Sequence, residues 1–209
     1  MPKLELSYFD FHGGRGEPAR LALYIGGIDF EDNRLGFAEW SKLKPSTPFG
    51  SMPLLEVDGQ LLTQCNAINR YVGKLAGLYP EDRWQAALCD EVMDVVEDIT
   101  HKLTPTFMMK DEAEKKAARQ ALADGPISLY LKAVAGLLQQ HGGQYFADAQ
   151  LTVADLKVFG WIRHLRSGKL DHVPTDLPDR VAPALVQHHD RIAAHPKIAQ
   201  YYAARGGYK

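Results

Sequence analysis

The stretch Gly50-Ser-Met-Pro-Leu-Leu-Glu-Val-Asp-Gly-Gln-Leu-Leu-Thr-Gln-Cys-Asn-Ala-Ile-Asn-Arg-Tyr71 decides how this chain folds. Leu54, Leu55 and Val57 read as an apolar strand, and Leu61 and Leu62 as its return. Asp58-Gly59 between them is a strong signal for a two-residue hairpin turn, whose central residues need positive φ. Gln64-Cys65-Asn66 then opens a helix with Ala67, Ile68, Tyr71 and Val72 along one face. A strand that hands small polar side chains to a helix N-terminus makes an anion site, because free N–H groups and the positive end of the helix dipole meet at one place. Met52-Pro53 precedes the strand. Proline there removes an N–H and admits a cis bond, which leaves a backbone edge for a peptide-like ligand.

Working outward, residues 3–9 alternate around Leu4, Leu6 and Tyr8 as a strand does, and Gly13-Gly-Arg-Gly16 is a loop. Glu17-Pro18 begins a helix carrying Ala19, Leu21, Ala22, Leu23 and Ile25, stopped by Gly26-Gly27. Phe30 to Leu35 reads as a second strand. The order βαβ then ββα describes a small α/β domain, thioredoxin-like if its sheet is mixed. Gly77, Pro80 and Glu81-Asp82-Arg83 look like a linker. Beyond it the pattern is helical. Trp84, Leu88, Val92, Val95, Val96 and Ile99 recur at helical spacing, residues 111–123 are rich in Ala, Glu, Lys and Arg, and Leu129 to Leu138 forms another apolar stripe ended by Gly142-Gly143. Thr152 and Asp155 have capping-box spacing, and Val158, Phe159, Trp161 and Ile162 make the following helix the buried centre of an all-α domain. The expected organisation is an α/β thioredoxin-like N-terminal domain over 1–76, a linker over 77–84, and an all-helical domain over 85–209.

Composition excludes several classes of function. The 209 residues are 45% hydrophobic and 24% charged, with a formal net charge of −2, as in an ordinary globular protein. No basic run offers a surface for nucleic acid or an anionic membrane. The N-terminus Met1-Pro-Lys-Leu-Glu-Leu carries no long apolar segment, so neither a signal peptide nor a spanning helix is expected. Cys65 and Cys89 are the only cysteines, which suits free thiols in a reducing, cytoplasmic compartment. The eight histidines, among them His188, His189 and His195, lack metal-ligand spacing, and no metal is expected.

The hairpin and helix resemble the glutathione-binding half of the glutathione transferases, whose members carry a similar Pro, a Val-Asp-Gly hairpin and Gln-Ser-x-Ala-Ile-x-Arg-Tyr at this spacing. Tyr8-Phe9-Asp10 followed by Arg15, Glu17 and Arg20 is similar to the start of the tyrosine-type members, with a loop one residue longer at His12-Gly13-Gly14. The resemblance spans essentially the whole chain and is strongest to the sigma class. It implies a homodimer that takes glutathione as co-substrate, holds no permanent cofactor, and conjugates the glutathione thiolate to small hydrophobic electrophiles. A glutathione-dependent isomerase of the prostaglandin-synthase kind, or a non-catalytic glutathione-binding protein on the same fold, are the alternatives.

Such chemistry must hold a tripeptide, hold two carboxylates and stabilise a thiolate. Tyr8 is expected to donate to the thiolate, with Arg15 adding positive potential. Trp40 and Lys44, four residues apart, can face one carboxylate; the resemblance assigns them to that of glycine. By the same resemblance Met52, before Pro53, offers its backbone to the cysteinyl portion, and Gln64 and the Cys65 N–H hold the γ-glutamyl carboxylate. Asp98 would reach the γ-glutamyl amine of the partner subunit, whereas Glu97 reads as part of a solvated acidic face. Cys65 stands where the family usually has Ser. A helix N-terminus lowers a thiol pKa, so Cys65 is expected to be sensitive to oxidants, against the alternative of a small, inert packing residue. Phe11, Phe107, Met108, Trp161 and Tyr208 are the candidates for the electrophile pocket.

Overall fold

The computed structural model describes residues 2–206. Strands β1 (Leu4–Phe9), β2 (Glu31–Leu35), β3 (Leu54–Val57) and β4 (Gln60–Thr63) form one sheet in the order β2-β1-β3-β4. β1 and β2 are parallel, with Tyr8 opposite Arg34, and helix α1 (Glu17–Gly26) supplies the crossover that a parallel pair requires. β1 and β3 are antiparallel, with Leu6 opposite Leu55. The β3–β4 hairpin closes through Asp58 and Gly59 at φ 50° and 83°, the geometry that dipeptide favours. The sheet is therefore mixed, and the N-terminal domain is thioredoxin-like.

Helix α1 stops where Gly27 takes a left-handed φ of 64° and its N–H caps the carbonyls of Leu23 and Tyr24. Helix α3 (Cys65–Ala76) ends the same way at Gly77. Both cover the sheet, so Leu4, Leu6 and Leu55 are buried with Leu21, Leu23, Ile68 and Val72. At the far end of β1 a smaller cluster forms from Tyr8, Met52 and Leu54. Phe9, Leu35, Trp40 and Leu43 pack against it, the last two from the short helix α2 (Phe37–Leu43).

The rest of the chain is helical: α4 (Arg83–Leu103), α5 (Glu112–Leu122), α6 (Ser128–Gln140), α7 (Val153–Arg166), α8 (Leu177–Val181), α9 (Pro183–Ala193) and α10 (Pro196–Ala203). Asp82 accepts from the N–H groups of Trp84 and Gln85, so α4 already starts at Arg83, within the stretch read as linker. A π-helical turn over Ala123–Ile127 joins α5 to α6, making one run where the sequence suggested two. By length and composition alone, Glu112–Gln140 is long and apolar enough to cross a membrane, a test that the core helix of a globular protein also passes. In this fold its Ile127, Leu131, Val134 and Leu138 are fully buried in the helical core.

Helix α7 is the centre of the molecule. Every residue from Val153 to Phe159 is buried, and the helix packs on α1 and α3 of the first domain and on α4 and α9 of the second. Its capping box forms: Asp155 Oδ2 accepts from the Thr152 N–H and from the Thr152 hydroxyl, both at 2.8 Å. The other oxygen of Asp155 accepts from the Phe146 N–H and meets His188 Nε2 at 2.9 Å. The Val153 N–H donates to the Leu78 carbonyl, and a Cβ on Gly73 would lie 2.8 Å from Val153, so the domains meet closely here.

Candidate active site

Tyr8 lies near the end of β1, buried in the small cluster with Met52 and Leu54. Its hydroxyl oxygen accepts the Arg15 N–H at 3.0 Å. That bond uses a lone pair and leaves the phenolic hydrogen for another acceptor. Burial pushes the hydroxyl above its ordinary pKa, against the opposing Arg15 N–H and the charges of Arg15 and Arg20, so the group stays a neutral donor. The glycine loop wraps the ring. A Cβ on Gly14 would lie 2.5 Å from Tyr8 Oη, and one on Gly16 2.5 Å from Tyr8 Cγ. Phe11, exposed in the same loop, stacks on Phe9 and meets the Tyr8 ring edge-on at 5.7 Å.

Trp40 is half-buried and joins the Tyr8 cluster from α2. Lys44 follows in a 3₁₀ turn over Lys44–Ser46, where a Cβ on Gly50 would touch its Cε at 3.3 Å. Lys44 therefore lies along the loop that leads to Met52. The Met52–Pro53 peptide is cis. Met52 sits two residues before Leu54, where β3 begins to pair with β1, so its backbone lies outside the ladder. The fold thus gathers Tyr8, Trp40 and Met52, with Lys44 at the edge.

Gln64 turns the chain from β4 into α3 at φ 71° and ψ 115°, a conformation that costs a non-glycine residue about 1–3 kcal/mol. It is exposed, and no side chain caps the first turn of α3, which leaves the leading N–H groups of that helix to another acceptor. Cys65 is the first residue of α3 and only 7% exposed. Its thiol donates to Glu97 Oε2 at 3.0 Å and accepts from Lys157 Nζ at 3.5 Å. Burial pushes this thiol up to about 11; Lys157 pulls it down, but Glu97 adds to the rise. This corrects the expectation of an acidic, oxidant-sensitive thiol. Desolvation and a facing carboxylate outweigh the helix terminus and keep the Cys65 thiol neutral, hydrogen-bonded between Glu97 and Lys157.

Glu97 is not on a solvated face. Its side chain, 14% exposed, points from α4 into the domain boundary. One oxygen accepts from Arg15 Nε and the other from Lys157 Nζ at 2.8 Å. Burial raises the carboxyl, but the Lys157 ammonium, the Cys65 bond and Arg15 together hold it down at about 2. Lys157 is 6% exposed and also donates to Asn66 Oδ1. Sequence reading put Glu97 on a solvated face and passed over Lys157. The available signal was a lone lysine between Leu156 and the apolar Val158 and Phe159, on the helix expected to be the buried centre of its domain.

The remaining candidates are scattered. Asp98 is exposed on α4, and its neighbour Asp94 accepts from Asn66 Nδ2 at 2.5 Å. Phe107 and Met108 are exposed on the 3₁₀ turn after α4, Met108 at 82%, with the Arg119 guanidinium over the Phe107 ring. Trp161 is 6% exposed within the helical core, its Nε1 buried. Tyr208 lies outside the described residues. Among the described residues no three His, Cys, Asp or Glu side chains converge as a metal site.

Two family models match this arrangement: the N-terminal domain of glutathione S-transferase over residues 4–74 and the C-terminal domain over residues 97–205. Glutathione S-transferase 1 of Ascaris suum is 38% identical over 161 residues, 76% of this chain and 78% of the relative. Hematopoietic prostaglandin D synthase of Gallus gallus is 34% identical over 205 residues, 98% of each. Among solved structures, prostaglandin synthase D of Nilaparvata lugens superposes with a TM-score of 0.86 at 29% identity over the full length of both chains. A monomeric glutathione S-transferase of Necator americanus does so with 0.81 at 26% identity over 99% of each. With both halves of the fold matched in order and a full-length relative above 30% identity, this chain belongs to the glutathione S-transferase family and is a glutathione transferase.

Proposed function

We propose that the protein is a sigma-class glutathione transferase that conjugates the glutathione thiolate to small hydrophobic electrophiles. One observation carries this reading: the Arg15 N–H fixes the Tyr8 oxygen at 3.0 Å and leaves its hydrogen free to donate to a sulfur. Glutathione lies with its glycine carboxylate toward Trp40 and Lys44, its cysteinyl backbone along Met52, and its γ-glutamyl carboxylate at the open first turn of α3, on the N–H groups of Cys65 and its neighbours and the Gln64 side chain. The thiol proton leaves to solvent, the Tyr8 hydroxyl donates to the thiolate left behind, and the sulfur lone pair forms a bond to the electrophilic carbon. In an aryl halide the carbon–halogen bond then breaks and the halide leaves with its pair; in an enal the carbon–carbon π pair moves toward the carbonyl oxygen and is protonated by water. Phe11, beside Tyr8, is the first wall the electrophile meets.

The domains in this reading are 1–76 for glutathione and 85–209 for the electrophile and the dimer contact, joined through 77–84. Two such protomers form a cytoplasmic homodimer in which Asp98 faces the partner's γ-glutamyl amine. The exposure of Asp98 and of the large apolar side chains Phe49 and Trp84 in one protomer supports that assembly. The full-length similarity to prostaglandin D synthases favours a second reading, glutathione-dependent isomerisation of an endoperoxide. Initial rates with a panel of aryl halides, enals and an endoperoxide, each with and without glutathione, separate the two. Conjugation of at least one electrophile is expected; turnover of the endoperoxide alone would replace the first reading with the second.

A further inference from the structure

The Arg15 N–H donates to the Tyr8 oxygen at 3.0 Å, yet the Arg15 side-chain Nε is bonded to a carboxylate, that of Glu97. An isolated arginine–glutamate pair presents no net charge to a neighbour. Here a third charge completes the group. Lys157, from the opposite side of the domain boundary, donates to the second Glu97 oxygen at 2.8 Å and to Asn66 Oδ1 at the start of α3. Two cations share one anion, so the cluster keeps one net positive charge between Tyr8 and the N-terminus of α3. Burial makes that charge effective, since Lys157 and Glu97 are both largely shielded from water. A buried ammonium is costly, and nothing in the packing of α7 requires one, because its neighbours Leu156, Val158 and Phe159 are apolar.

We propose that Lys157 is a positioning residue for catalysis: it offsets Glu97, so that the Arg15–Glu97–Lys157 cluster presents one net positive charge to the bound glutathione thiolate. This rests on the glutathione reading above. Lys157 touches neither sulfur nor electrophile in this account and acts through Glu97 and Arg15. The charged and titratable groups facing the cluster are Arg15 from the glycine loop, Cys65 from α3, and on α4 His101, whose exposed imidazole lies 3.7 Å from Glu97. Tyr8 is tied in through the Arg15 N–H.

Charge counting makes the test sharp. Counting Arg15, Glu97 and Lys157, the parent carries +1, Lys157→Met carries 0, Glu97→Gln carries +2, and the double variant carries +1. The pKa of enzyme-bound glutathione is read from the ultraviolet thiolate band across pH, with all proteins in a His101→Gln background to remove the imidazole from the count. Lys157→Met is expected to raise the bound thiol pKa by about one unit, Lys157→Arg to restore it, and Glu97→Gln to lower it. The double variant is expected to return to the parent value. It also replaces a buried pair with neutral groups, a change that folds tolerate better than removing one partner. A purely structural role predicts a double variant at least as impaired as either single one, and that order would overturn the proposal. So would an unchanged thiol pKa in Lys157→Met. A parent protein with no thiolate band at any pH would instead overturn the glutathione reading itself, a result distinct from either.

Discussion

The Arg15 N–H donates to Tyr8 Oη at 3.0 Å, while the Arg15 side chain turns away to Glu97 on α4. One residue therefore fixes the tyrosine of the first domain and binds that loop to the second. The bond to Tyr8 comes from the backbone, so it is available after any substitution of the Arg15 side chain other than proline. Arg15→Ala is expected to keep a thiolate-forming site with a modest loss of rate, about 3- to 10-fold for a lost charge contact. A drop as large as that of Tyr8→Phe in steady-state rates would show that the side chain, not the backbone, does the main work.

Gly16 is required by the Tyr8 ring, since a Cβ there would lie 2.5 Å from Cγ and 2.7 Å from Cδ1. Neither the ring nor the loop can give way cheaply. Gly16→Ala is expected to cost about 1–3 kcal/mol of stability and to displace the hydroxyl. Thermal unfolding and rate measured together check this. A variant that melts with the parent and turns over normally would contradict the packing.

Glu97 links stability to acid. Its folded pKa of about 2 lies below the ordinary value of 4.5, so its contribution is fully present above pH 4.5 and is lost as pH falls toward 2. The difference corresponds to ~3 kcal/mol as an order of magnitude. Glu97→Gln should therefore be less stable than the parent at pH 7, with the gap closing as pH falls through that window. Urea unfolding at a series of pH values gives the comparison. Parallel curves would mean that Glu97 titrates alike in both states.

Cys65 is expected to alkylate more slowly at neutral pH than an unstructured cysteine, because its thiol is raised to about 11. Iodoacetamide should inhibit the parent and Cys65→Ser at closely similar rates. Rapid, Cys65-dependent inactivation at neutral pH would restore the acidic thiol that the helix N-terminus alone suggests.

The fold was legible where local chemistry decides it. Asp58-Gly59 fixed the hairpin, Gly27 and Gly77 the helix ends, and Thr152/Asp155 the start of α7. Tyr8 was legible near the end of β1, whose alternation is plain, whereas the roles expected of Trp40, in the middle of α2, and of Met52, two residues before β3, came from the family resemblance. Glu97 and Lys157 were not legible. They stand 60 positions apart, on helices whose polar residues usually face water, and only the packing of α7 under α3 and α4 turns both inward. The Cys65 thiol was misjudged for the same reason. A sequence shows the helix terminus beneath it but not the carboxylate that α4 places against it.

Dimerisation is tested by sedimentation at micromolar concentration. A homodimer is expected, and Asp98→Asn should raise the KM for glutathione severalfold without dissociating it. A monomeric parent, like the Necator americanus relative, would remove Asp98 from the site.

The central claim is that the Tyr8 hydroxyl stabilises the glutathione thiolate, and Tyr8→Phe tests it most directly. The variant loses one hydrogen bond to an anion, about 1.5–3 kcal/mol, so kcat should fall about 10- to 100-fold. The bound thiol pKa should rise by about one to two units, while the KM for glutathione changes far less. Full activity of Tyr8→Phe between about pH 6 and pH 8, with the thiolate band unshifted, would contradict the account.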